Sequence, residues 1–581
     1  MFLLNYRSVI SAGAALVLLT QTAFGHVHGS QEMTMDMDMS PAMNSTAPAA
    51  PKDYPPTYFA HPEHMGLIYA HVALSVVAWI FILPVGVMLS IARSRATLPL
   101  QIAFSILNAV SIFCATVYNA RTPDLYPNNA HHKIGWIVTL VVCGQISIGL
   151  SGSIAKIIRN FGSKELSDAS ESRAFLLAAT NPRDQSMGFE DAQDVSPTSP
   201  PFRNSSISTA YDETAGDLPD PKDYDLENYD EAFDAPPSTS NDNLHRLLPS
   251  RPVTVVFSHM QRCLALFYKV VDRIILPFGF VALATGIITF ARFFEGHEVF
   301  SGLAHWIKGG VFFWLGLFNL GRWSGAFAEL GWAWNRRPRN GNKREGWVPT
   351  AEFVESSLIL FYGSTNIFLE HLGNAGQAWS SQDLEHMSIT VLFIGGGLCG
   401  ILIESHAIRK FLNVNVHNRA AQQPSTLNNE ENGLEEPETY DFSLNPIPAL
   451  VILILGIMMS SHQQSTMISS MVHKQWGNLL LGASLSRGLT YFLIYLRPPT
   501  SIFPSRPPTE LLSAFGLIAG GIIFMASSSD TIEGMIHYNL DAMFFYTVTM
   551  GCSALLMAWE LVVLAIKGFA STRTENTIFR R

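Results

Sequence analysis

Histidine supplies most of the chemistry this sequence could do. Of the 18 histidines, His71, His131, His132, His305, His371, His386, His462 and His473 each stand at one end of a long apolar run. An imidazole holds haem iron, copper or zinc through whichever ring nitrogen its own hydrogen bonds leave open. His71 lies three residues before the apolar stretch that begins at Leu74, and His131 and His132 stand equally shallow before Ile134. Two neutral imidazoles at matching depth on facing helices are what a bundle uses to hold a b-type haem. Histidines that merely cap helices at a membrane face are the simpler alternative.

Sulfur adds a second kind of ligand. The segment HVHGSQEMTMDMDMSPAM places His26, His28, Met33, Met35, Met37, Met39 and Met43 in a polar stretch. Thioethers select soft cations, copper(I) above all, and imidazole suits copper and zinc. Chance repetition in a low-complexity tail reads the same way from composition. Met458, Met459, His462, Met467, Met471 and His473 crowd around one later turn. Copper binding and methionine used as packing filler both fit that turn.

Glu370, Glu385 and Glu404 stand near histidines and could orient imidazoles. Arg487 and Glu560 lie inside apolar runs, where an ion pair would lower the cost of each. The five cysteines are scattered with no CxxC, which argues against a disulfide framework or thiolate metal site and for burial in helix packing. Neither G-x-S-x-G, HExxH nor a P-loop occurs in a suitable context, so hydrolysis is not indicated. No basic stripe suggests nucleic acid.

These residues must be positioned by membrane helices. The chain has 581 residues, 48% hydrophobic and 14% charged. Its mean hydropathy is +0.20. Charge this scarce over this length predicts an all-α polytopic membrane protein. Residues 1–25 have the basic residue, short apolar core and small-residue exit of a signal peptide. The Met/His-rich tail occupies 26–60, with a glycosylation sequon at Asn44. About eleven spans are expected, near 66–92, 99–119, 133–155, 274–294, 303–325, 352–371, 387–408, 446–461, 475–495, 510–527 and 542–566. The acidic segments at 159–265 and 411–444 cannot bury a core and read as loops. Arg93, Arg95, Lys156, Arg159, Arg336, Arg337, Arg409, Lys410 and the tail at 571–581 mark the cytoplasmic side. The N-terminus and the span-capping histidines then face the lumen or exterior, and the C-terminus faces the cytoplasm. Arg121, Lys133 and Arg292 run against this pattern.

The stretch HVALSVVAWIFILPVGVMLSIARS resembles the first core helix of cytochrome b561-type domains, through His71, Ala78-Trp79, Pro84, Gly86 and Ala92-Arg93. HHKIGWIVTLVVCGQ resembles the third core helix, with His131 four residues before Gly135 and His132 as an alternative. The resemblance implies that residues 61–158 form a three-helix module in which His71 and His131 share a haem. The second span carries no histidine, and His305, the match for a fourth-helix ligand, falls on the wrong face for a second pair. One haem at most is implied. The whole chain resembles the fungal Ytp (yeast putative transmembrane protein) family, through LEHLGN, DLEHMSIT, MMSSHQQST, HKQWG and LSRGLTY in a C-terminal domain at 266–570. That family is functionally uncharacterised and has been likened to electron-transport membrane proteins.

The expected protein is therefore an integral membrane protein of the secretory pathway, surrounded by lipid. Electron transfer or metal reduction through haem b, with a redox partner or metal ion, is one expectation. Copper or zinc handling without haem is another, through the methionines and histidines of the tail and through His462 and His473. A structural scaffold is the third.

Overall fold

The computed structural model describes residues 54–152, 251–295, 299–338, 348–366, 381–422, 442–462 and 464–578, with Trp379 and Tyr440. The expected signal peptide, the Met/His-rich tail up to residue 53, Glu370, His371 and most of both acidic segments lie outside these residues. The described regular structure is helical: α1 Met65–Ile91, α2 Thr97–Arg121, α3 Ala130–Gly152, α4 Arg251–Ala291, α5 Val299–Ser324, α6 Ala351–Asn366, α7 Ser381–Glu404, α8 His406–Gln422, α9 Ile447–Ser461, α10 Met467–Leu496, α11 Pro508–Met525, α12 Ser529–His537 and α13 Ala542–Ile578.

Eight of these, α1 to α4, α7, α10, α11 and α13, are long and apolar enough to cross a membrane. α9 is apolar but shorter. The remaining expected spans correspond to α5 and α6, whose apolar runs are diluted by Lys308, Arg322, Glu352 and Glu355. The chain is a helical membrane protein. Two helices start or end beyond the expected limits: α4 begins at Arg251, inside the first acidic segment, and α8 extends to Gln422, inside the second.

Helices α1 to α4 share one core. Trp79, Leu83 and Val87 of α1 meet Phe104 of α2, Val138 and Val142 of α3, and Val271 and Ile275 of α4. The expected three-helix module thus takes a fourth helix into its core. Buried Trp79 donates its indole N–H to Asn108 Oδ1 at 3.0 Å, and Asn108 reaches Thr139 at 3.3 Å. A Cβ on Gly279 would lie 2.8 Å from the Trp79 ring, so only glycine lets α4 approach there.

The second bundle is built around α11, which is 72% buried along its apolar window, against 39% or less for every other candidate span. Its neighbours approach closely because glycines face backbone. Gly309 of α5 faces Gly521 of α11, and Gly456 of α9 faces Gly477 of α10. The run Gly395 to Gly400 behaves as its composition suggests: Gly396 meets Val451, Gly397 meets Leu360 and Gly400 meets Ser356. The cysteines do not follow expectation. Cys143, Cys263, Cys399 and Cys552 are exposed and Cys114 is half-buried, so none is buried between helices.

α13 joins the two bundles. Pro84 has no N–H to offer the carbonyl of Ile80, four residues back. The helix winds as a π-turn over Val77–Ile82 immediately before it. The Ile80 carbonyl instead accepts the indole N–H of Trp559 at 2.9 Å, while Phe81 packs on the Trp559 ring. Trp559→Phe keeps most of the ring contact and removes the donor. It is expected to destabilise the fold by about 1–3 kcal/mol, the usual penalty for one orphaned buried acceptor. Chemical or thermal unfolding of the detergent-solubilised variant measures this.

Candidate functional site

The helices alternate so that the span-capping histidines gather at one end, the histidine end, and the buried arginines at the other. In the first bundle His71 of α1 and His131 of α3 come together, with ring centres 6.0 Å apart and ring planes at 64°. Each ring is held by a main-chain carbonyl at Nδ1: Ser111 O of α2 at 3.0 Å for His71 and Ala282 O of α4 at 3.1 Å for His131. A carbonyl can only accept, so Nδ1 carries the proton and Nε2 is the lone-pair nitrogen. Neither Nε2 has a hydrogen-bond partner among the described residues.

The other two helices position the pair. The second span has no histidine but supplies Ser111, whose hydroxyl lies 2.9 Å from His71 Nδ1 and donates to the His71 carbonyl at 3.0 Å. On α4, Gly286 backs the His131 ring; a Cβ there would lie 3.1 Å from Cε1. His132 is exposed and turned from the pair, so the structure distinguishes the two neighbouring histidines.

A metal midway between two imidazole nitrogens, about 2 Å from each, sets ring centres about 6 Å apart. His71 and His131 would be the residues to hold a haem iron there, each through the Nε2 that its bonded Nδ1 leaves open. The arginine end of the same bundle has no imidazole pair among the described residues. There Asp272 of α4 accepts from Ser90 of α1 and Gln145 of α3, both at 2.5 Å, while Tyr268 accepts from Gln101 of α2 at 3.0 Å.

A cap of polar contacts covers the histidine end. Tyr58 donates to Asp124 at 3.1 Å and accepts the N–H groups of Leu125 and Tyr126. Tyr126 donates to the carbonyls of Phe293 and Phe294, and Phe294 N–H donates to Asp530 of α12 at 2.5 Å. Burial pushes both phenols above their ordinary titration range, which keeps them neutral.

The second bundle pairs histidines differently from expectation. His305 of α5 meets His473 of α10, ring centres 6.2 Å apart, beside Phe524 and Trp476. His386 of α7 meets His462 at 6.4 Å. Glu385 reaches His462 Nδ1 at 2.9 Å, although it is adjacent in sequence to His386. His462 and His473 therefore belong to separate pairs. Glu404 touches no imidazole among the described residues; it accepts from Thr350 and Ser443 at 2.7 Å and lies 3.8 Å from Arg409. Met467 and Met471 are exposed, while Met458 and Met459 pack on the hydrophobic core. No group of three or more His, Cys, Asp or Glu among the described residues is arranged to hold a metal. His26, His28, Met33, Met35, Met37 and Met39 lie outside the described residues.

The arginine end of the second bundle holds a feature that no motif announces. Arg322 of α5 bonds Glu352 at 2.8 Å and Glu355 at 3.1 Å, both on α6. Arg487 of α10 bonds Glu510 of α11 at 2.8 Å and Glu355 at 3.4 Å. Trp334 lies beneath both guanidiniums, 4.4 Å from Arg322 and 5.2 Å from Arg487. Tyr491 donates to Glu352 at 3.4 Å. Arg487 is thus paired, but with Glu510 and Glu355 rather than Glu560. Glu560 Oε2 is buried with no hydrogen-bond partner.

Comparison with known proteins places this architecture. The family described as "Protein YTP1-like, C-terminal" matches residues 278–568, from within α4 through α13. A domain of unknown function (DUF2427) matches residues 52–155, which hold α1 to α3. The uncharacterized membrane protein C3B8.06 of Schizosaccharomyces pombe is 34% identical over 523 residues, covering 88% of this chain and 96% of that one. The uncharacterized membrane protein YCR061W of Saccharomyces cerevisiae is 38% identical over 363 residues, 60% of this chain and 56% of that one. Protein YTP1 of Saccharomyces cerevisiae is 21% identical over 226 residues, 38% of this chain and 40% of its own length.

Proposed function

This chain belongs to the YTP1-like family of fungal membrane proteins, and on that footing we propose that its first four helices hold one b-type haem between His71 and His131. The protein would carry electrons at the histidine end, toward a redox partner or metal ion. The observation that carries this reading is the imidazole pair at 6.0 Å with both Nδ1 atoms committed to carbonyls. The histidine end faces the lumen or exterior in this reading, as the basic flanks suggest, and the membrane belongs to the secretory pathway.

When bound, the group would supply one-electron chemistry. The chain's part is positional. The carbonyls of Ser111 and Ala282 fix the tautomer and orientation of the two ligands and raise their basicity. Gly286 leaves the His131 ring its place against α4. Trp79, Phe104, Val138 and Val142 keep water from the bundle interior. Arg121 and Lys133 are exposed where α2 ends and α3 begins, at the face of the pair. They would neutralise acidic groups there, which gives a reason for basic residues against the topological rule.

Purified full-length protein reduced with dithionite is expected to show split b-type absorbance bands. His71→Ala with His131→Ala should abolish them, and His132→Ala should leave them intact. A spectrum without haem bands would end this reading. Copper or zinc in elemental analysis of such a haem-free sample would favour the metal-handling alternative, with ligands drawn from His305, His386, His462 and His473.

A further inference from the structure

The buried cluster of the second bundle does not balance its charge. It contains two guanidiniums, Arg322 and Arg487, and three carboxylates, Glu352, Glu355 and Glu510. Each is at most 6% exposed. With every group ionised, one negative charge would be left over in a low-dielectric interior, where an uncompensated charge is very unfavourable. One unit of positive charge is therefore missing from the ionised count. Glu404, another buried carboxylate of this bundle, has its own cation in Arg409.

We propose that the cluster binds one exchangeable proton, held on Glu355. The three carboxylates are not held alike. Both oxygens of Glu510 accept from Arg487 Nε, at 2.8 and 2.9 Å. Glu352 accepts from Arg322 Nη2 at 2.8 Å and from Tyr491. Glu355 has the longest contacts, 3.1 Å to Arg322 and 3.4 to 3.5 Å to Arg487. It alone of the three lines the small cavity between α5, α6, α9, α10 and α11.

That cavity is polar where it meets the cluster. Asn319 Oδ1, Ser484 Oγ and Arg487 Nη2 all line it, all are buried, and none has a hydrogen-bond partner. Such atoms are satisfied by water or an ion when there is room. They give a proton a hydrogen-bonded place to come from and return to. Groups facing Glu355 are Arg322 from α5, Glu352 from its own helix, Arg487 and Tyr491 from α10, and Glu510 from α11; α9 contributes only the apolar Pro448, Ala449 and Ile452 to the cavity. This site does not depend on haem in the first bundle.

Infrared difference spectroscopy of the full-length protein in lipid, on H2O to D2O exchange, reads the proton directly. A carboxylic acid C=O band that shifts in D2O is expected. Measured in a Glu560→Gln background, so that the other buried and unpaired carboxyl does not contribute, Glu355→Gln should remove one component of that band and Glu355→Asp should move it, with unfolding temperature used to confirm that each variant is folded. Persistence of the full band in folded Glu355→Gln overturns the assignment. Absence of such a band in the wild type, with stabilisation by sodium relative to choline, would mean that a metal cation fills the charge deficit and also overturns it.

Discussion

Arg487→Met is expected to lower the stability of the membrane-embedded fold by about 3–5 kcal/mol, the usual loss when one partner of a buried pair is removed. The reason is the carboxylate left behind. Glu510 is fully buried, and both its oxygens accept from Arg487. No other cation reaches it among the described residues. Glu355 loses one of its two guanidiniums at the same time, and Trp334 loses one of the cations over its ring. Arg487→Met combined with Glu510→Gln should recover most of the loss, because the uncompensated charge is then gone. Arg487→Lys should fall between, keeping charge without the planar fork. Reversible unfolding in mixed micelles measures the series. Equal stability of Arg487→Met and wild type would show that the cluster does not hold the bundle.

Gly521→Leu should prevent native packing of the second bundle. A single Cβ at that position would lie 2.5 Å from Phe313 N and 2.6 Å from the Gly309 carbonyl. Both obstacles are backbone, so no rotamer change relieves them, and α5 and α11 must separate. Helix α11 is the most buried of the candidate spans, so separation there disturbs every neighbour. Even Gly521→Ala should cost about 1–3 kcal/mol, the range for overpacking. Gly551→Ala on α13 is the control, since nothing lies within 4 Å of its Cβ position. Size-exclusion profiles and unfolding curves separate the outcomes. A monodisperse Gly521→Leu protein as stable as the control would refute the close-contact account.

The apolar runs made most helices legible, because a span must satisfy its backbone internally and so must be long and continuous. In the first bundle, residue count placed His71 level with both His131 and His132, the family resemblance preferred His131, and the structure brings the His131 ring to His71. The fourth member of that bundle, α4, was harder, because its first turns are polar and continue out of an acidic segment. The charge cluster was not legible. Glu352 and Glu510 sit in the first turns of their helices, and Glu355 just beyond, where acidic residues are ordinary near the positive end of the helix dipole. Arg322 stands at the end of α5, where a basic residue is equally ordinary. Only Arg487, deep in its span, signalled a partner, and the choice among glutamates depended on which helices touch. The signal that could have found them is collective: two acidic helix starts, carrying three glutamates, and one basic helix end on the same side of the membrane. The pairing of Glu385 with His462 was hidden for the same reason, since a chain neighbour on a helix points to a different face.

The bond from Trp559 to the Ile80 carbonyl spans 479 residues of chain. At ordinary synthesis rates of about 5–20 residues per second, roughly half a minute to a minute and a half separates these two residues on the ribosome. Throughout that interval the proline-broken turn of α1 is already in the bilayer with its carbonyl awaiting a donor. The first bundle is therefore made before the donor of its Ile80 carbonyl exists. Arrival of the last helix is the event that locks the first.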